Sequence, residues 1–394
     1  MRTITVVGTS LAGFSAAQQL RAQGFDGRLV MVGAEAHQPY DRPPLSKDFL
    51  TGKIGQADLA LGDQSDFDEL EAEWLLGDPA LRLRPASASV ELWSGEQIST
   101  DGVVVATGAN ARLLPGTEGI GGVHALRTME DAAALRDELT TGSPRVVVIG
   151  AGFIGAEVTS SCVDLGLDVT IVEAAEVPLV RALGAQMAHA CSALHQDHRA
   201  RVRFGAGVAE LRTEAGRVTG VVLDTGECLD AEVVVIGIGV RPNADWLAGS
   251  GIGVQDGVLC DAGGVSELPN IVAVGDVARV WRPELGRSVR IEHWTTAQTQ
   301  PRVAVGNLLA GSTVEHHTDL PYFWSDQYGV RIQFAGNVEP DDEVRIVDGA
   351  VEDRCFLAQY YRQETPVGVL AFNHPRGFGR ARRELTRPRL VAAT

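Results

Sequence analysis

The sequence predicts an α/β protein with two parallel-sheet domains and a smaller α+β domain at its C-terminal end. Two similar stretches predict the parallel sheets: near residues 3 and 146, a β-branched run leads into a glycine turn and then a helix. A third observation is the change of pattern near residue 319, after which aromatic residues and alternating strands dominate. Strand–glycine turn–helix units bind dinucleotides, so the fold class is two Rossmann-like dinucleotide-binding domains plus a C-terminal α+β domain.

The composition of the chain argues against several classes of function. A net charge of -17 argues against nucleic-acid binding, which requires a basic surface. The chain enters a strand within a few residues and has no apolar run of about 18 residues, so we expect neither a signal peptide nor a membrane span. The five cysteines lie far apart without C-x-x-C spacing, which predicts reduced thiols in a cytoplasmic protein and no metal site.

The first glycine turn follows a strand predicted over residues 3–8. Gly8 makes the sharp turn, Ser10 stands where a middle glycine is usual, and Gly13 lets the following helix pack on the strand. The helix is predicted over residues 11–23, and its N-terminus offers N–H groups to a pyrophosphate. A second strand over residues 28–32 precedes Glu35, the candidate acid for a ribose hydroxyl.

A stiff, proline-rich loop follows at residues 38–47 and projects the cations of Arg42 and Lys47. It is interpreted either as a rigid surface loop or as a clamp for the phosphates of a bound cofactor. Short antiparallel strands are predicted over residues 74–105. The run that ends at residues 106–108 returns the chain to the first unit.

The second glycine turn carries a full G-x-G-x-x-G pattern at Gly150, Gly152 and Gly155. Glu173 lies 23 residues after Gly150, at the end of the next predicted strand. An acid at this position bonds a free ribose 2′-hydroxyl and repels a 2′-phosphate, so this unit is predicted to prefer NADH. Residues 237–243 close the unit, and a strand over residues 270–276 ends at Asp276.

These signals divide the chain into three predicted domains. The first dinucleotide-binding domain comprises residues 1–109 and 241–318, the second comprises 110–240, and the C-terminal domain comprises 319–394. Arginines gather near the C-terminal end at positions 376, 380, 382, 383, 387 and 389. This basic run is either a solvated helix or a docking surface for an acidic partner.

The ordered set of motifs resembles the FAD-dependent, NADH-linked ferredoxin reductases of bacterial oxygenase systems, the putidaredoxin-reductase-like and biphenyl-dioxygenase-reductase-like proteins with a glutathione-reductase-type fold. The most specific parts are the stretches 39–47, 106–108, 150–157, 274–276 and 323–327. The resemblance covers essentially the whole chain. It implies FAD and NADH as cofactors, a [2Fe–2S] ferredoxin as partner and, indirectly, an oxygenase. Oligomeric state is left open.

The resemblance also implies roles for particular residues. It implies that FAD is held by a set drawn from the first unit, its clamp and the distant loops: Gly8, Ser10, Ala12, Gly13, Glu35, Arg42, Lys47, Ala106, Thr107, Gly108, Arg127, Asp276, Glu292 and Trp294. It implies that NADH is held by Gly150, Gly152, Ile154, Gly155, Glu173 and Gly239. Lys47 is implied to approach flavin N5 and to pair with Glu157. Many relatives carry the ribose acid at the position of Ala34, whereas here the acid is Glu35.

Several alternatives stay open on the sequence. The Lys47–Glu157 pair is either part of the redox site or a plain structural ion pair, and Trp294 and Trp324 either flank the flavin or fill a core. A disulfide or peroxide reductase of the same fold would place a reactive cysteine in the first domain, but residues 1–161 contain no cysteine. A third class is an NADH-responsive flavoprotein of the apoptosis-inducing-factor type.

Overall fold

A computed structural model describes residues 1–386 of the chain. Its helices are α1 Leu11–Ala22, α2 Gln64–Asp68, α3 Met129–Thr140, α4 Phe153–Asp164, α5 Val180–Asp197, α6 Trp294–Ala310 and α7 Pro375–Leu385. Within these residues, no helix combines the length and the apolar character needed to cross a bilayer.

The strands are short, as expected for a chain rich in turns. Those of the first third are β1 Thr3–Val7, β2 Arg28–Gly33, β3 Ala72–Leu76, β4 Ala80–Arg84, β5 Ser89–Leu92, β6 Gln97–Ser99, β7 Gly102–Val105, β8 Ala109–Ala111 and β9 Val123–Ala125. Those of the middle are β10 Val146–Ile149, β11 Val169–Glu173, β12 Arg201–Phe204, β13 Val208–Glu214, β14 Arg217–Leu223, β15 Cys228–Asp230, β16 Val233–Ile236 and β17 Val240–Pro242. The remainder are β18 Val258–Cys260, β19 Ile271–Ala273, β20 Ala278–Arg282, β21 Arg287–Arg290, β22 Tyr322–Gln327, β23 Val330–Gly336, β24 Glu343–Ala350, β25 Cys355–Arg362 and β26 Thr365–Phe372.

The chain divides into two compact units. The first, called here unit 1, contains residues 1–41, 57–110 and 240–321, and the second, unit 2, contains residues 42–56, 111–239 and 322–386. The segment 42–56 therefore belongs to unit 2 by its contacts, although most of its neighbours in sequence belong to unit 1. The three-domain division by residue number stays a prediction.

Unit 1 is built on a parallel sheet with strand order β19-β7-β1-β2-β3. Val7, the last residue of the central strand, lies opposite Val32 and Val105, so the carboxyl ends of three strands meet at one edge. Helices α1 and α6 share a core with the sheet, where Leu20 and Leu308 are fully buried. Two small three-stranded sheets, β4-β5-β6 and β18-β20-β21, complete the unit.

Unit 2 repeats this plan with the order β12-β11-β10-β16-β9, again all parallel. Ile149 lies opposite Val172 and Ile236 at the carboxyl edge of this sheet. An antiparallel sheet, β13-β14-β15, follows it, whereas the separate pair of β8 with β17 belongs mainly to unit 1. The predicted pair of Rossmann-like domains is confirmed.

The C-terminal part of unit 2 is an antiparallel sheet with order β22-β23-β26-β25-β24. Its buried face shares a core with α5, where Met187 and Leu194 pack with Phe334 and Phe356. Helix α7 follows β26 and buries Phe378. This arrangement confirms the predicted C-terminal α+β domain.

Candidate functional site

The first glycine turn joins β1 to α1 in unit 1 and leaves no room for side chains. Gly8 has a φ of +110°, and a Cβ there would lie 2.1 Å from the carbonyl oxygen of Ala106. A Cβ on Gly13 would lie 1.8 Å from the carbonyl oxygen of Gly8, so the helix packs directly on the turn. Ser10 is the N-cap of α1, with extended backbone angles. The turn thus directs the first N–H groups of a twelve-residue helix toward any anion bound there.

Two further segments approach this turn within unit 1. Thr107 follows β7; its hydroxyl donates to the carbonyl of Asn243 at 2.7 Å, and the Asn243 amide donates back to the Thr107 carbonyl at 3.0 Å. Gly108 follows with a φ of +63°. The predicted 106–108 segment is therefore fixed by a pair of hydrogen bonds to residue 243, a partner that the sequence did not identify.

The Gly275–Asp276 segment is a short 3-10 turn rather than the end of a strand, because β19 stops at Ala273. A Cβ on Gly275 would lie 2.8 Å from the Cβ of Ala12, so both positions require small residues where the turn meets α1. The Gly275 N–H donates to Oε1 of the buried Gln300 at 2.8 Å. These contacts position Asp276 near the first glycine turn.

Arg290 links Asp276 to the segment before α6. Its guanidinium donates to the Asp276 carbonyl at 3.3 Å and pairs with the carboxylates of Glu292 and Asp256. Because the Arg290 side chain is only 10% exposed, these contacts hold it firmly. Sequence reasoning did not single out Arg290 or Gln300, and a buried polar side chain cannot be recognised in a sequence before its surroundings are known.

The remaining unit 1 candidates lie in half-buried positions. The Glu35 carboxylate accepts a hydrogen bond from the hydroxyl of Tyr40, beyond the end of β2. Trp294 opens α6, and its Nε1–H donates to Oδ1 of Asp41 at 2.6 Å. Next to Trp294, burial lowers the pKa of His293 to about 4, which keeps this imidazole neutral at pH 7.

The second glycine turn joins β10 to α4 in unit 2. A Cβ on Gly150 would lie 2.4 Å from the carbonyl oxygen of Gly237, and one on Gly155 would lie 2.0 Å from that of Gly150. A Cβ on Gly152, by contrast, would meet no described atom within 4 Å, and Ile154 beside it is 48% exposed. The close-packed glycines shape the turn, and the open one leaves the helix N-terminus accessible to a dinucleotide.

Glu173 ends β11 and accepts two backbone hydrogen bonds. Its Oε2 accepts from the Ala151 N–H at 2.9 Å, inside the glycine turn, and its Oε1 accepts from the Ala175 N–H at 2.9 Å. The carboxylate is thus fixed beside the glycine turn, and its predicted contact with a ribose hydroxyl stays a prediction. Gly239, with a φ of +98°, has open space where a Cβ would stand and accepts from the Arg112 N–H.

The predicted Lys47–Glu157 pair is present in unit 2. Lys47 Nζ lies 2.8 Å from Oε2 of Glu157, and the two side chains are 18% and 4% exposed. Lys47 follows the 3-10 turn Pro43–Ser46, and Glu157 lies in the first half of α4. A buried carboxylate so close to an ammonium stabilises both charges. The structure contains the pair, and its role in a reaction stays a prediction.

Two of the predicted FAD-binding residues, Arg42 and Arg127, also meet in unit 2. Arg42 Nη1 donates to the carbonyl of Arg127 at 2.6 Å. Arg127 immediately precedes the capping box of α3, in which Thr128 and Asp131 exchange hydrogen bonds. Arg42, Lys47 and Arg127 therefore share a unit with the second glycine turn, whereas the first turn, Glu35 and Trp294 lie in unit 1.

The cysteines are buried at positions 162, 191 and 260 and exposed at positions 228 and 355. Burial raises the pKa values of Cys162 and Cys191 to about 12, so these thiols stay protonated. All five cysteines are free. Among residues 1–386, no group of three or more histidine, cysteine, aspartate or glutamate side chains is arranged to hold a metal ion.

The basic run lies on α7. Arg376, Arg380 and Arg383 are exposed, whereas the guanidinium of Arg382 lies 4.4 Å from the ring centre of Tyr322. The two other arginines of the run, at positions 387 and 389, lie outside the described residues. The two interpretations of this run therefore remain open.

Comparison with known proteins identifies the family. A model described as pyridine nucleotide-disulphide oxidoreductase matches residues 2–300, and one described as reductase C-terminal matches residues 322–394. The chain is 37% identical to rhodocoxin reductase of Rhodococcus erythropolis over 97% of this chain and 89% of that protein. It is 35% identical to the benzene 1,2-dioxygenase system ferredoxin–NAD(+) reductase subunit of Pseudomonas putida, over 96% and 91%.

A solved structure extends this agreement to the fold. A chain in the crystal structure of the covalent putidaredoxin reductase–putidaredoxin complex superposes with a TM-score of 0.92 at 30% identity, covering 98% of this chain and 93% of that one. These findings confirm the resemblance deduced from the motifs. The chain belongs to the pyridine nucleotide-disulphide oxidoreductase family and carries a reductase C-terminal domain.

Proposed function

We propose that this protein is an FAD-containing reductase that passes electrons from NADH to a small [2Fe–2S] ferredoxin serving a monooxygenase or dioxygenase. The family makes it an oxidoreductase that uses FAD and NAD(H). Its relatives include ferredoxin–NAD(+) reductase components of dioxygenase systems. One observation favours ferredoxin over a disulfide as the acceptor: the chain has two dinucleotide turns and no cysteine among residues 1–161.

Each glycine turn has a different task in this proposal. The first, closed by Ala106, Gly275 and Ala12, fits a permanently bound FAD, whose pyrophosphate would lie on the N-terminus of α1. The second, open at Gly152, fits NADH, which must enter and leave in every cycle. The remaining FAD contacts would come from Glu35, Thr107 and Asp276 and from the other candidates named above: Ser10, Arg42, Gly108, Arg127, Glu292 and Trp294.

The Lys47–Glu157 pair would serve the redox reaction electrostatically. When bound, FAD supplies the chemistry that couples a two-electron donor, NADH, to a one-electron acceptor, an iron–sulfur cluster. Reduction of a flavin increases its negative charge, and a fixed ammonium stabilises that charge. Glu157 holds the Lys47 ammonium at 2.8 Å and thereby fixes its position. Neither residue is required to transfer a proton in this scheme.

Two finer points belong to the same proposal. The Glu173 carboxylate, fixed by the N–H groups of Ala151 and Ala175, makes NADH the preferred donor over NADPH. A cytoplasmic location is consistent with five free cysteines and no spanning helix among residues 1–386.

The test uses the purified holoprotein. It should contain one FAD per chain and reduce a [2Fe–2S] ferredoxin encoded beside it, with NADH as donor. Blocking of the exposed thiols of Cys228 and Cys355 with N-ethylmaleimide should leave this rate unchanged, which separates the reaction from disulfide reduction. A protein that reduces ferricyanide but no [2Fe–2S] ferredoxin would contradict the partner.

A further inference from the structure

The Glu157 carboxylate receives four hydrogen bonds from two separate segments of unit 2. Oε2 accepts from the Ser46 hydroxyl at 2.5 Å and from Lys47 Nζ at 2.8 Å. Oε1 accepts from the Ser325 hydroxyl at 2.7 Å and from the Asp326 N–H at 3.3 Å. Glu157 is 3% exposed, so these groups replace water as its solvation.

Half of this solvation comes from the C-terminal sheet, since Ser325 and Asp326 lie on β22. Three side chains on one face of α4, at positions 157, 160 and 161, connect this sheet to the segment that contains Ser46 and Lys47. Ser160 Oγ accepts from the Tyr328 N–H at 2.7 Å, and Ser161 Oγ donates to the Ser46 carbonyl at 2.7 Å. The helix therefore joins the Lys47 segment to β22.

Gln327 fixes the direction of the Ser325 hydroxyl. Its Nε2–H donates to Ser325 Oγ at 3.0 Å, so the hydroxyl proton is directed to Glu157 Oε1. Gln327 is 1% exposed, and its Oε1 has no hydrogen-bond partner among residues 1–386.

The amino-acid composition gives an independent reason to look at Lys47. The chain has 34 lysines and arginines together, but Lys47 and Lys53 are the only lysines. Arginine thus carries almost every positive charge of the protein, while the buried partner of Glu157 is a compact ammonium. Lysine presents a point charge on a flexible stem, which must be held from outside to keep one position.

We propose that Ser325 is a positioning residue: oriented by Gln327, it fixes the ionised Glu157 carboxylate and so holds the Lys47 ammonium in the place required for flavin reduction. The C-terminal sheet is then part of the redox site and not only a neighbouring fold. The proposal rests on the proposed function for its catalytic consequence. The hydrogen-bond arrangement itself is independent of that function.

Two measurements test the proposal in the holoprotein. With lysine labelled by ¹³C at the ε carbon, NMR should show two side-chain signals, and Lys53, 59% exposed, serves as the mobile reference. The two ε protons of Lys47 should differ in chemical shift in the unaltered protein and approach equivalence in Ser325→Ala. In stopped flow, the limiting rate of flavin reduction should fall about tenfold in Ser325→Ala while the NADH dissociation constant is unchanged; tenfold is the lower end for one hydrogen bond to a charged group.

Matched variants separate positioning from general stability. Ser160→Ala also removes one buried hydroxyl between α4 and the C-terminal sheet, but Glu157 keeps all four donors. It should lower the melting temperature as Ser325→Ala does and leave both the limiting rate and the Lys47 signals unchanged. Ser325→Thr keeps the hydroxyl and should restore the rate. Gln327→Leu should lower the rate less than Ser325→Ala, and it keeps the test available if that variant does not fold.

The outcomes are distinct. Equal limiting rates and equal Lys47 spectra in Ser325→Ala and Ser160→Ala would overturn the proposal, as would a mobile Lys47 with an unchanged limiting rate. Failure of the proposed function would be seen differently, as an unaltered holoprotein that does not reduce a ferredoxin. The NMR comparison would still decide whether Ser325 holds Lys47 in that case.

Discussion

Glu173→Gln is the most direct test of the nucleotide preference. Glutamine has the same length as glutamate, but one of its two terminal atoms is a donor. Because the carboxylate now accepts from two backbone N–H groups, at Ala151 and Ala175, an amide at this position can satisfy only one of them. The acceptor for a ribose hydroxyl is weakened at the same time.

The magnitude follows from one lost hydrogen bond to a charged group, about 1.5–3 kcal/mol. Since Glu173 is partly exposed, the lower end applies, and kcat/KM for NADH should fall about 10–30-fold. The loss should raise KM and leave kcat nearly unchanged, because the ribose is remote from the reacting atoms. NADPH should lose the same hydrogen bond. Its 2′-phosphate, however, is no longer repelled by a carboxylate at position 173, and this gain of about 1–3 kcal/mol should offset the loss.

The assay is steady-state reduction of ferricyanide with each donor. The ratio of kcat/KM for NADH to that for NADPH should fall about 5–150-fold in Glu173→Gln, because the lost hydrogen bond affects both donors and only the relieved repulsion distinguishes them. Glu176→Gln is the matched control, because it removes an exposed carboxylate from the same loop. An unaltered protein that uses both donors equally, or two variants with the same ratio, would refute the reasoning.

Three further outcomes are expected. Arg380→Glu or Arg383→Glu should flatten the salt dependence of ferredoxin turnover if α7 is a docking surface, and an unchanged slope would assign these arginines to solvent. Burial lowers the pKa of His195 to about 4, so its contribution to stability is present above pH 6.5 and is lost as pH falls toward 4. Chemical denaturation measures this effect. As pH falls from 6.5 to 4, the free energy of unfolding of His195→Gln should decrease by about 3 kcal/mol less than that of the unaltered protein. Gly152→Ala should fold and keep FAD, yet bind NADH at least tenfold more weakly in a fluorescence titration, because a Cβ would enter the open space of the second turn.

The sequence identified the features that depend on local pattern. A buried strand followed by G-x-G-x-x-G has one common solution, so Gly150 and Gly155 could be placed at a tight turn. The acid at Glu173 followed from its distance along the chain. Glu35 could be proposed in the same way, but its bond to Tyr40 became visible only in the fold.

Several other hydrogen-bond partners could not be predicted, because they come from distant parts of the chain. Ser325 lies 168 residues from Glu157, and Gln300 lies 25 residues from Gly275. Ser325 stands in the stretch 323–327 that carries the family resemblance, but nothing in that stretch indicates Glu157 as its partner, and Gln300 stands in no such pattern. Arg290 could not be identified for the same reason, because it contacts Asp256, Asp276 and Glu292. Local sequence patterns predict turns and the buried faces of helices and strands, whereas the solvation of a buried charge depends on the tertiary fold.

The two glycine turns have the same local design and differ in what surrounds them. Gly8 and Gly150 are packed alike, because a Cβ would lie 2.1 Å from the Ala106 carbonyl oxygen at the first and 2.4 Å from the Gly237 carbonyl oxygen at the second. The first turn is also contacted by Gly275, where a Cβ would lie 2.8 Å from the Ala12 Cβ. At the second, the space beyond Gly152 is open. In the proposed function, NADH would enter and leave through this open space. In the same proposal, the Gly275 contact at the first turn and the open space at the second would let one chain retain FAD and still turn over NADH.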